Sequence, residues 1–397
     1  MEEKMSNIIQ QIKSIFFDKA QVLPPGLYNY QTPKDSEYQY RLHLRIEPAG
    51  EGLLIINAST VLHLNRTATE LAYYLVNQVP KHEAIELMVK RYQTNVTDAT
   101  NDYKDFMDRI ETLINTPDLD PVTYLEFDRL TPYEEFPPAP YRLDCALTYN
   151  LSANETEGHS PKERVTRELS FDEWKSILKK AWDVGIPHVV FTGGEPTLRP
   201  NLPELIVAAE DLGMVTGLST DGLKLIEEGY LEQILNSGLD HLLITLNPNM
   251  EQSWESLRKV IPQDIHTTVH ITVGQSLQDS YIEILNDLQK IGVENISLSY
   301  SDPSAESDLM EIRNKAAEIG FNLDWDLPVP YSQFNPVSAE INDDVSKPIG
   351  AGKAWLYIEP DGDVLPGQGI TRKLGNFLED PWETIWGNAK LMKTKDE

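Results

Sequence analysis

Apolar and polar positions repeat with two different periods along this chain, and the periods separate its regions. Between residues 39 and 115, three short segments with strand-like patterns come first, and three helices with apolar residues three and four apart follow. The strands are predicted at residues 40–46, 52–57 and 61–64, and the helices near 67–78, 80–91 and 97–114. From residue 141, apolar runs alternate with amphipathic helices, which is typical of an α/β fold with a parallel sheet.

Breaks in composition set the predicted domain boundaries. Residues 1–38 are expected to form a helix and an extended arm, and the proline-rich residues 116–140 a linker. Six βα units between residues 141 and 325 predict a partial parallel (β/α)6 barrel, with its working face at the carboxyl ends of the strands. Its strands are predicted at residues 142–148, 188–192, 215–219, 241–246, 267–273 and 295–298. Residues 326–397 are expected to add a small extension with a helix and a hairpin that turns at Asp361-Gly362.

The charge balance narrows the classes of partner. The sequence has 63 acidic and 34 basic residues, a formal net charge of −29. Such a surface repels phosphate backbones, so nucleic acid is not an expected partner, whereas a cationic peptide or protein would be attracted. No apolar run reaches the roughly 18 residues that a membrane span requires, so we expect no transmembrane segment and a cytoplasmic location.

The chain has one cysteine, Cys145. One thiol forms no intrachain disulfide and no site with several thiolate ligands. Cys145 lies inside the first predicted barrel strand, so we expect a buried core thiol.

A glycine pair at the end of the second barrel strand carries the main candidate chemistry. Gly193 and Gly194 would let a ligand approach the backbone closely, and Glu195 would offer a carboxylate to a cation. The motif GGEP is followed by LSTDG at residues 218–222 and by GLDHLLITLN at residues 238–247. This order resembles the radical S-adenosylmethionine (SAM) fold. The resemblance implies a SAM site that includes Gly193, Gly194, Glu195, Ser219, Thr220, Asp221 and Asn247.

The same resemblance makes the lack of cysteines significant. That family holds a [4Fe–4S] cluster with three cysteines, spaced C-x3-C-x2-C, after the first strand. Aligning residues 147–149 (LTY) with the family's phrase places Leu151, Glu155 and Gly158 at the three positions. None of them supplies a thiolate, so the sequence predicts no iron–sulfur cluster and, at most, weak SAM binding. A metal held by Glu155 and His159 is a less favoured alternative to solvated surface side chains.

Both ends of the chain resemble parts of peptide-modifying radical SAM enzymes. The C-terminal region is similar to a SPASM or twitch extension, but Gly367 stands where that family has a cysteine, and residues 349–350 lack another. Residues 39–115 resemble the PqqD-like peptide-recognition module. This resemblance implies that a leader peptide adds as a strand, with contacts to Val61, Leu62, His63, Leu64, Phe106 and Ile110. A winged-helix adaptor that docks on its own barrel is the alternative.

Three interpretations follow. The favoured one is a pseudoenzyme of ribosomal peptide modification, a scaffold that binds a peptide or a partner modification enzyme and is not itself an enzyme. The second is a non-radical enzyme that binds SAM at the GGEP site. The third is a regulatory or structural protein that binds neither.

Overall fold

A computed structural model of the protein describes residues 23–33, 36, 38–116, 136–152, 158–274, 280–300, 303–324, 327–340, 348 and 350–392. These residues belong to two compact units, residues 1–129 and residues 130–397. The predicted N-terminal helix, most of the predicted linker and Glu155 lie outside the described residues.

The first unit contains an antiparallel sheet followed by three helices. The strands are in chain order across the sheet. Asn65 and Asn95 cap the first and third helices, because their side chains accept hydrogen bonds from the N–H groups of Ala68 and Asp98. The elements are β1 (Gly26–Gln31), β2 (Arg41–Ile46), β3 (Gly52–Ile56), β4 (Thr60–Leu64), α1 (Arg66–Val76), α2 (Lys81–Tyr92) and α3 (Val96–Asn115).

The core of this unit lies between the sheet and the helices α1 and α3. Leu44, Leu54 and Leu62 are almost fully buried and belong to one hydrophobic cluster with Ile110 and Leu113. Strand β1 is not among the predicted strands, and it pairs with β2 rather than with β4. Therefore β1 and β4 are the two edges of the described sheet.

The second unit contains a sheet of ten strands covered by helices. The strands run in the order β11-β10-β9-β8-β7-β6-β5-β12-β13-β14, parallel from β11 to β12 and antiparallel from β12 to β14. The α/β fold is confirmed, and the described residues form an open sheet, not a closed barrel. The elements are β5 (Arg142–Thr148), α4 (Phe171–Asp183), β6 (His188–Gly193), α5 (Leu202–Leu212), β7 (Val215–Thr220), α6 (Tyr230–Asn236), β8 (His241–Thr245), α7 (Glu251–Val260), β9 (His266–Val273), α8 (Tyr281–Ile291), β10 (Asn295–Tyr300), α9 (Glu306–Ile319), β11 (Asn322–Leu323), β12 (Trp355–Ile358), β13 (Asp363–Leu365), β14 (Gly375–Asn376) and α10 (Trp382–Lys390).

The two faces of this sheet differ in polarity. Cys145, Phe191 and Leu218 pack into the large cluster that the helices cover. Since successive strand residues point to opposite faces, Thr192 and Ser219 point away from that cluster. We call this second face, which carries Thr192, Ser219 and Tyr357, the inner face.

The C-terminal hairpin is part of the main sheet. Its turn contains Asp361 and Gly362 as predicted, and Gly362 has a left-handed φ of 92°. Strand β12 pairs in parallel with β5, with Trp355 opposite Arg142. The sequence predicted the hairpin as an appended extension, but in the structure it lengthens the sheet beside β5.

None of the described helices combines the length and the apolar character that a bilayer crossing requires.

Candidate functional site

Glu195 is the centre of a hydrogen-bond network at the carboxyl ends of β6 and β7. Its side chain is buried, with 2% of the residue surface exposed. Oε1 accepts hydrogen bonds from the hydroxyls of Thr197 (2.6 Å) and Thr220 (2.7 Å) and from the Thr197 N–H (2.9 Å). Oε2 accepts one from the Asp221 N–H at 2.7 Å. The structure therefore brings Glu195, Thr220 and Asp221 together.

Burial raises the pKa of Glu195 to about 8, and the nearby Asp221 carboxylate adds to the increase. The four donors act in the opposite direction, because they favour the charged carboxylate. In this arrangement both carboxylate oxygens are occupied by the chain's own groups. A cationic ligand would reach Glu195 only after some of these bonds break.

Gly193 and Gly194 let two parts of the backbone approach each other. The Gly194 and Glu195 N–H groups donate to the carbonyls of Thr148 and Asn150, each at 2.8 Å. A Cβ atom on Gly194 would lie 2.4 Å from the Asn150 oxygen, and one on Gly193 would lie 2.3 Å from the Thr148 oxygen. The close approach predicted for a ligand is therefore made in the structure by the loop after β5.

Two hydroxyls on the inner face lie beside this motif. The side-chain oxygens of Thr192 and Ser219 are buried and have no hydrogen-bond partner among the described residues. Ser219 was predicted as a site residue, whereas Thr192 was missed, although it precedes the glycine pair directly. Asn247 is not joined to these groups, since its side chain accepts from the Asn249 N–H at 3.1 Å.

A network of tyrosines and acids near Gly193 was also missed from the sequence. The Tyr331 N–H donates to the Gly193 carbonyl at 2.8 Å, and the Tyr331 hydroxyl donates to Glu340 at 2.8 Å. Arg164 contacts Glu340 at 2.6 Å and Glu359 at 3.3 Å. Residues 327–340 are thereby fixed beside the end of β6.

Tyr149, the residue that follows β5, completes this network. Its hydroxyl donates to Glu359 at 3.0 Å, and its ring packs edge-on against that of Tyr331. Burial raises the pKa of Glu359 and of both tyrosine hydroxyls, so these phenols are neutral at ordinary pH. No local pattern in the sequence predicts contacts between residues that are so far apart along the chain.

The positions aligned with cluster cysteines hold other residues in other environments. Leu151 lies against Gly194, Gly158 is exposed, and Gly367 contacts Ala351 and Trp355. Cys145 is fully buried in β5, and burial raises the pKa of its thiol well above the ordinary value. The described side chains therefore do not match a cluster that is held by three cysteines of this chain.

Among the described residues, three carboxylates at the hairpin turn have the spacing of a metal site without any rearrangement. The carboxylates of Glu359, Asp361 and Asp363 lie within 4.8 Å of one another at the hairpin turn. Arg164 pairs with Glu359, and Lys373 pairs with Asp363 at 2.6 Å. The chain's own cations therefore already compensate part of this charge.

The edge of β4 is the second candidate site. Leu62 and Leu64 are buried in the core cluster that also contains Ile110, and Phe106 packs against that cluster. Val61 is half-buried and His63 is exposed, so side chains alternate between core and solvent along β4. The other side of β4 has no strand partner among the described residues.

Residues 145–264 match the family model of the Radical SAM superfamily. This stretch of the chain is therefore similar to a radical SAM domain. The PqqA peptide cyclase of Streptomyces rochei is 27% identical over 62% of this chain and 76% of that protein. The PqqA peptide cyclase of Gluconobacter oxydans is 26% identical over 58% of this chain and 70% of that protein. Among solved structures, Streptococcus suis SuiB bound to precursor peptide SuiA superposes with a TM-score of 0.58 at 14% identity, over 89% of this chain and 90% of SuiB.

These comparisons confirm the radical SAM fold and correct two predictions. The prediction that the chain is not an enzyme is wrong, because relatives over more than half of its length are named as a cyclase, which is an enzyme. The prediction of no iron–sulfur cluster is contradicted because radical SAM relatives normally bind a [4Fe–4S] cluster and SAM. The chain does have a single cysteine. That number alone does not exclude a bound iron–sulfur cluster.

Proposed function

We propose that this chain acts in the modification of a ribosomally made peptide and binds that precursor by strand addition at β4. The names of the relatives support the peptide as substrate class, and residues 39–115 would serve as a PqqD-like recognition module. Residues 326–397 would then be a twitch-like or SPASM-like extension. The observation that carries the proposal is the edge of β4.

Strand addition explains why this edge suits an extended peptide. An edge strand presents unpaired N–H and C=O groups, and proteins usually protect such edges with charges, proline or a covering segment. Strand β4 has neither lysine nor proline, and His63 is its one titratable side chain. A peptide beside β4 would gain backbone hydrogen bonds, and α3 would provide an apolar contact through the partly buried Phe106, whereas Ile110 is buried in the core.

Proline substitutions in β4 test this binding mode. Successive N–H groups of a strand point to opposite sides, so Leu62→Pro and His63→Pro together remove one outward donor and one donor to β3. We expect the variant that loses the outward donor to bind a precursor peptide that the unchanged chain binds at least about tenfold more weakly. Fluorescence anisotropy with the labelled peptide measures the affinity.

Leu27→Pro in β1, the opposite edge of the same sheet, is the matched control. It should leave peptide affinity near that of the unchanged chain. Equal loss of binding in all three variants would mean that proline acts by unfolding the unit. Unchanged binding in both β4 variants would rule out strand addition at this edge.

SAM is the second ligand that we propose, at the inner face beside Gly193. The observation in its favour is the pair of buried hydroxyls, Thr192 and Ser219, without a partner among the described residues. Leaving a buried polar group unpaired costs about 1–3 kcal/mol, and a polar ligand would remove that cost. When bound, SAM supplies the methyl or 5′-deoxyadenosyl group for chemistry, while these hydroxyls would hold and orient it.

Removing the two hydroxyls tests this site. The double variant Thr192→Val/Ser219→Ala should keep the melting temperature, because no described hydrogen bond is lost, and should weaken SAM binding about tenfold. Isothermal titration calorimetry with SAM gives the affinity. Ser256→Ala removes another buried, unpartnered hydroxyl, on α7, and should change neither quantity. If SAM binds the double variant as tightly as the unchanged chain, the ligand does not use these hydroxyls.

A further inference from the structure

Three histidines begin three strands of the large sheet. His188 is the first residue of β6, His241 of β8 and His266 of β9. Since parallel strands start at the same edge, these residues lie at the opposite end of the sheet from Gly193 and Thr220. The ligands proposed above leave them unused.

The rings of His188 and His241 meet across the intervening strand β7. Their Nε2 atoms are 2.7 Å apart, and their ring centroids are 5.0 Å apart with an interplanar angle of 68°. Gly217 of β7 makes this contact possible, because a Cβ atom there would lie 2.2 Å from Cε1 of His241. The glycine therefore provides the space in which the two nitrogens face each other.

A third imidazole and a carboxylate lie next to this pair. His266 is the direct neighbour of His241 in the register of β8 and β9. Nε2 of His266 is 3.6 Å from Oδ2 of Asp324, which also accepts a hydrogen bond from Thr268. Carboxylates in this position commonly orient an imidazole that binds a metal.

The arginine at the start of β5 forms an ion pair with an acid. Arg142, the first residue of β5, contacts both carboxylate oxygens of Asp144, at 2.7 and 3.1 Å. The His266 side chain is 53% exposed, so solvent and ions reach this end of the row.

We propose that His188, His241 and His266 form a binding site for a divalent transition-metal ion such as Zn²⁺. Imidazole nitrogen is a preferred ligand of such ions, at a metal–nitrogen distance of about 2.0–2.1 Å. Tetrahedral coordination requires the two facing Nε2 atoms to separate to about 3.3 Å, and each imidazole then keeps its proton on Nδ1. His266 reaches the ion by rotation of its exposed side chain, and Asp324 then orients it or becomes the fourth ligand. The bound ion would join β6, β8 and β9 at the end of the sheet that is remote from the GGEP motif.

Zinc titration of the full-length chain tests this site. The protein is stripped of metal with a chelator and titrated with ZnCl2 by calorimetry, with excess Mg²⁺ to occupy surface carboxylates, which hard cations prefer. We expect one Zn²⁺ per chain and a higher melting temperature with the ion bound. Co²⁺ in place of Zn²⁺ should give the visible absorption bands of a tetrahedral site.

Two variants and one control assign the ligands. His241→Asn should abolish binding, and His266→Ala, at a position where the side chain is 53% exposed, should weaken it about tenfold or more. His270→Gln is the control, since His270 is buried between Ser297 and Ser299 on β9 and should leave zinc binding unchanged. Zinc binding that is absent in the unchanged chain, or that persists in full in His241→Asn and His266→Ala, would overturn the proposal.

Discussion

Replacing Gly194 by alanine should destabilise the second unit by about 3 kcal/mol or more. The new Cβ atom would lie 2.4 Å from the Asn150 carbonyl oxygen, a backbone atom that cannot rotate away, and 2.9 Å from Leu151 Cδ2. Moving the loop would also lengthen the two hydrogen bonds from the Gly194 and Glu195 N–H groups. Urea unfolding of the full-length chain, followed by tryptophan fluorescence, measures the change.

Gly387→Ala is the matched control for this substitution. Gly387 lies in α10, and a Cβ atom there would meet nothing within 4 Å apart from its chain neighbours and the helix's own backbone, so alanine should stabilise the chain by about 0.5–1 kcal/mol. Equal stability of Gly194→Ala and the unchanged chain would show that the loop after β5 moves without cost. Loss of SAM binding in Gly194→Ala would by itself carry no information on the ligand, because the fold would already be disturbed.

Replacing Arg164 by methionine should cost about 3 kcal/mol, since it leaves two largely buried carboxylates without their cation. The side chains of Glu340 and Glu359 are only 11% and 5% exposed. We expect residues 327–340 to lose their attachment beside Gly193, and limited proteolysis should then cut this segment faster. Thermal unfolding gives the loss of stability.

Adding Glu340→Gln to Arg164→Met tests whether the lost stability comes from the unpaired charge of the carboxylate, because glutamine keeps nearly the same shape. In the Arg164→Met background it removes one unpaired charge and should restore part of the stability. Arg258→Met removes a partner of an exposed ion pair with Glu251 and should cost less than about 1 kcal/mol. A cost for Arg164→Met as small as that of Arg258→Met would show that solvent screens both buried acids.

The regular elements were predictable because each follows a local rule. Ser170 and Glu173 form a capping box at the start of α4, as their spacing of three residues before an apolar helix indicates, and both of its hydrogen bonds are present. Cys145 is buried, as its place inside an apolar strand indicated. Strand β1 escaped prediction because Gly26 and its preceding prolines favour an irregular arm, and only pairing with β2 makes the segment a strand.

The environment of the candidate site was not predictable from local pattern. GGEP marks the correct strand end, but nothing in the motif indicates that the Glu195 carboxylate bonds to Thr220 and Asp221. The tie between Tyr331 and Gly193 joins residues far apart in sequence, and periodicity carries no signal for such contacts. The cysteine count described the chain correctly, yet it could not decide whether the protein is an enzyme.

The pairing of β12 with β5 has a consequence for biosynthesis. Arg142 of β5 finds its partner Trp355 about 210 residues later in the chain, a contact of high sequence separation that forms slowly. While the ribosome is still translating the intervening segments, that side of β5 is an uncovered edge on which a neighbouring nascent chain can pair. The large sheet is completed only when β12, β13 and β14 have also emerged from the exit tunnel.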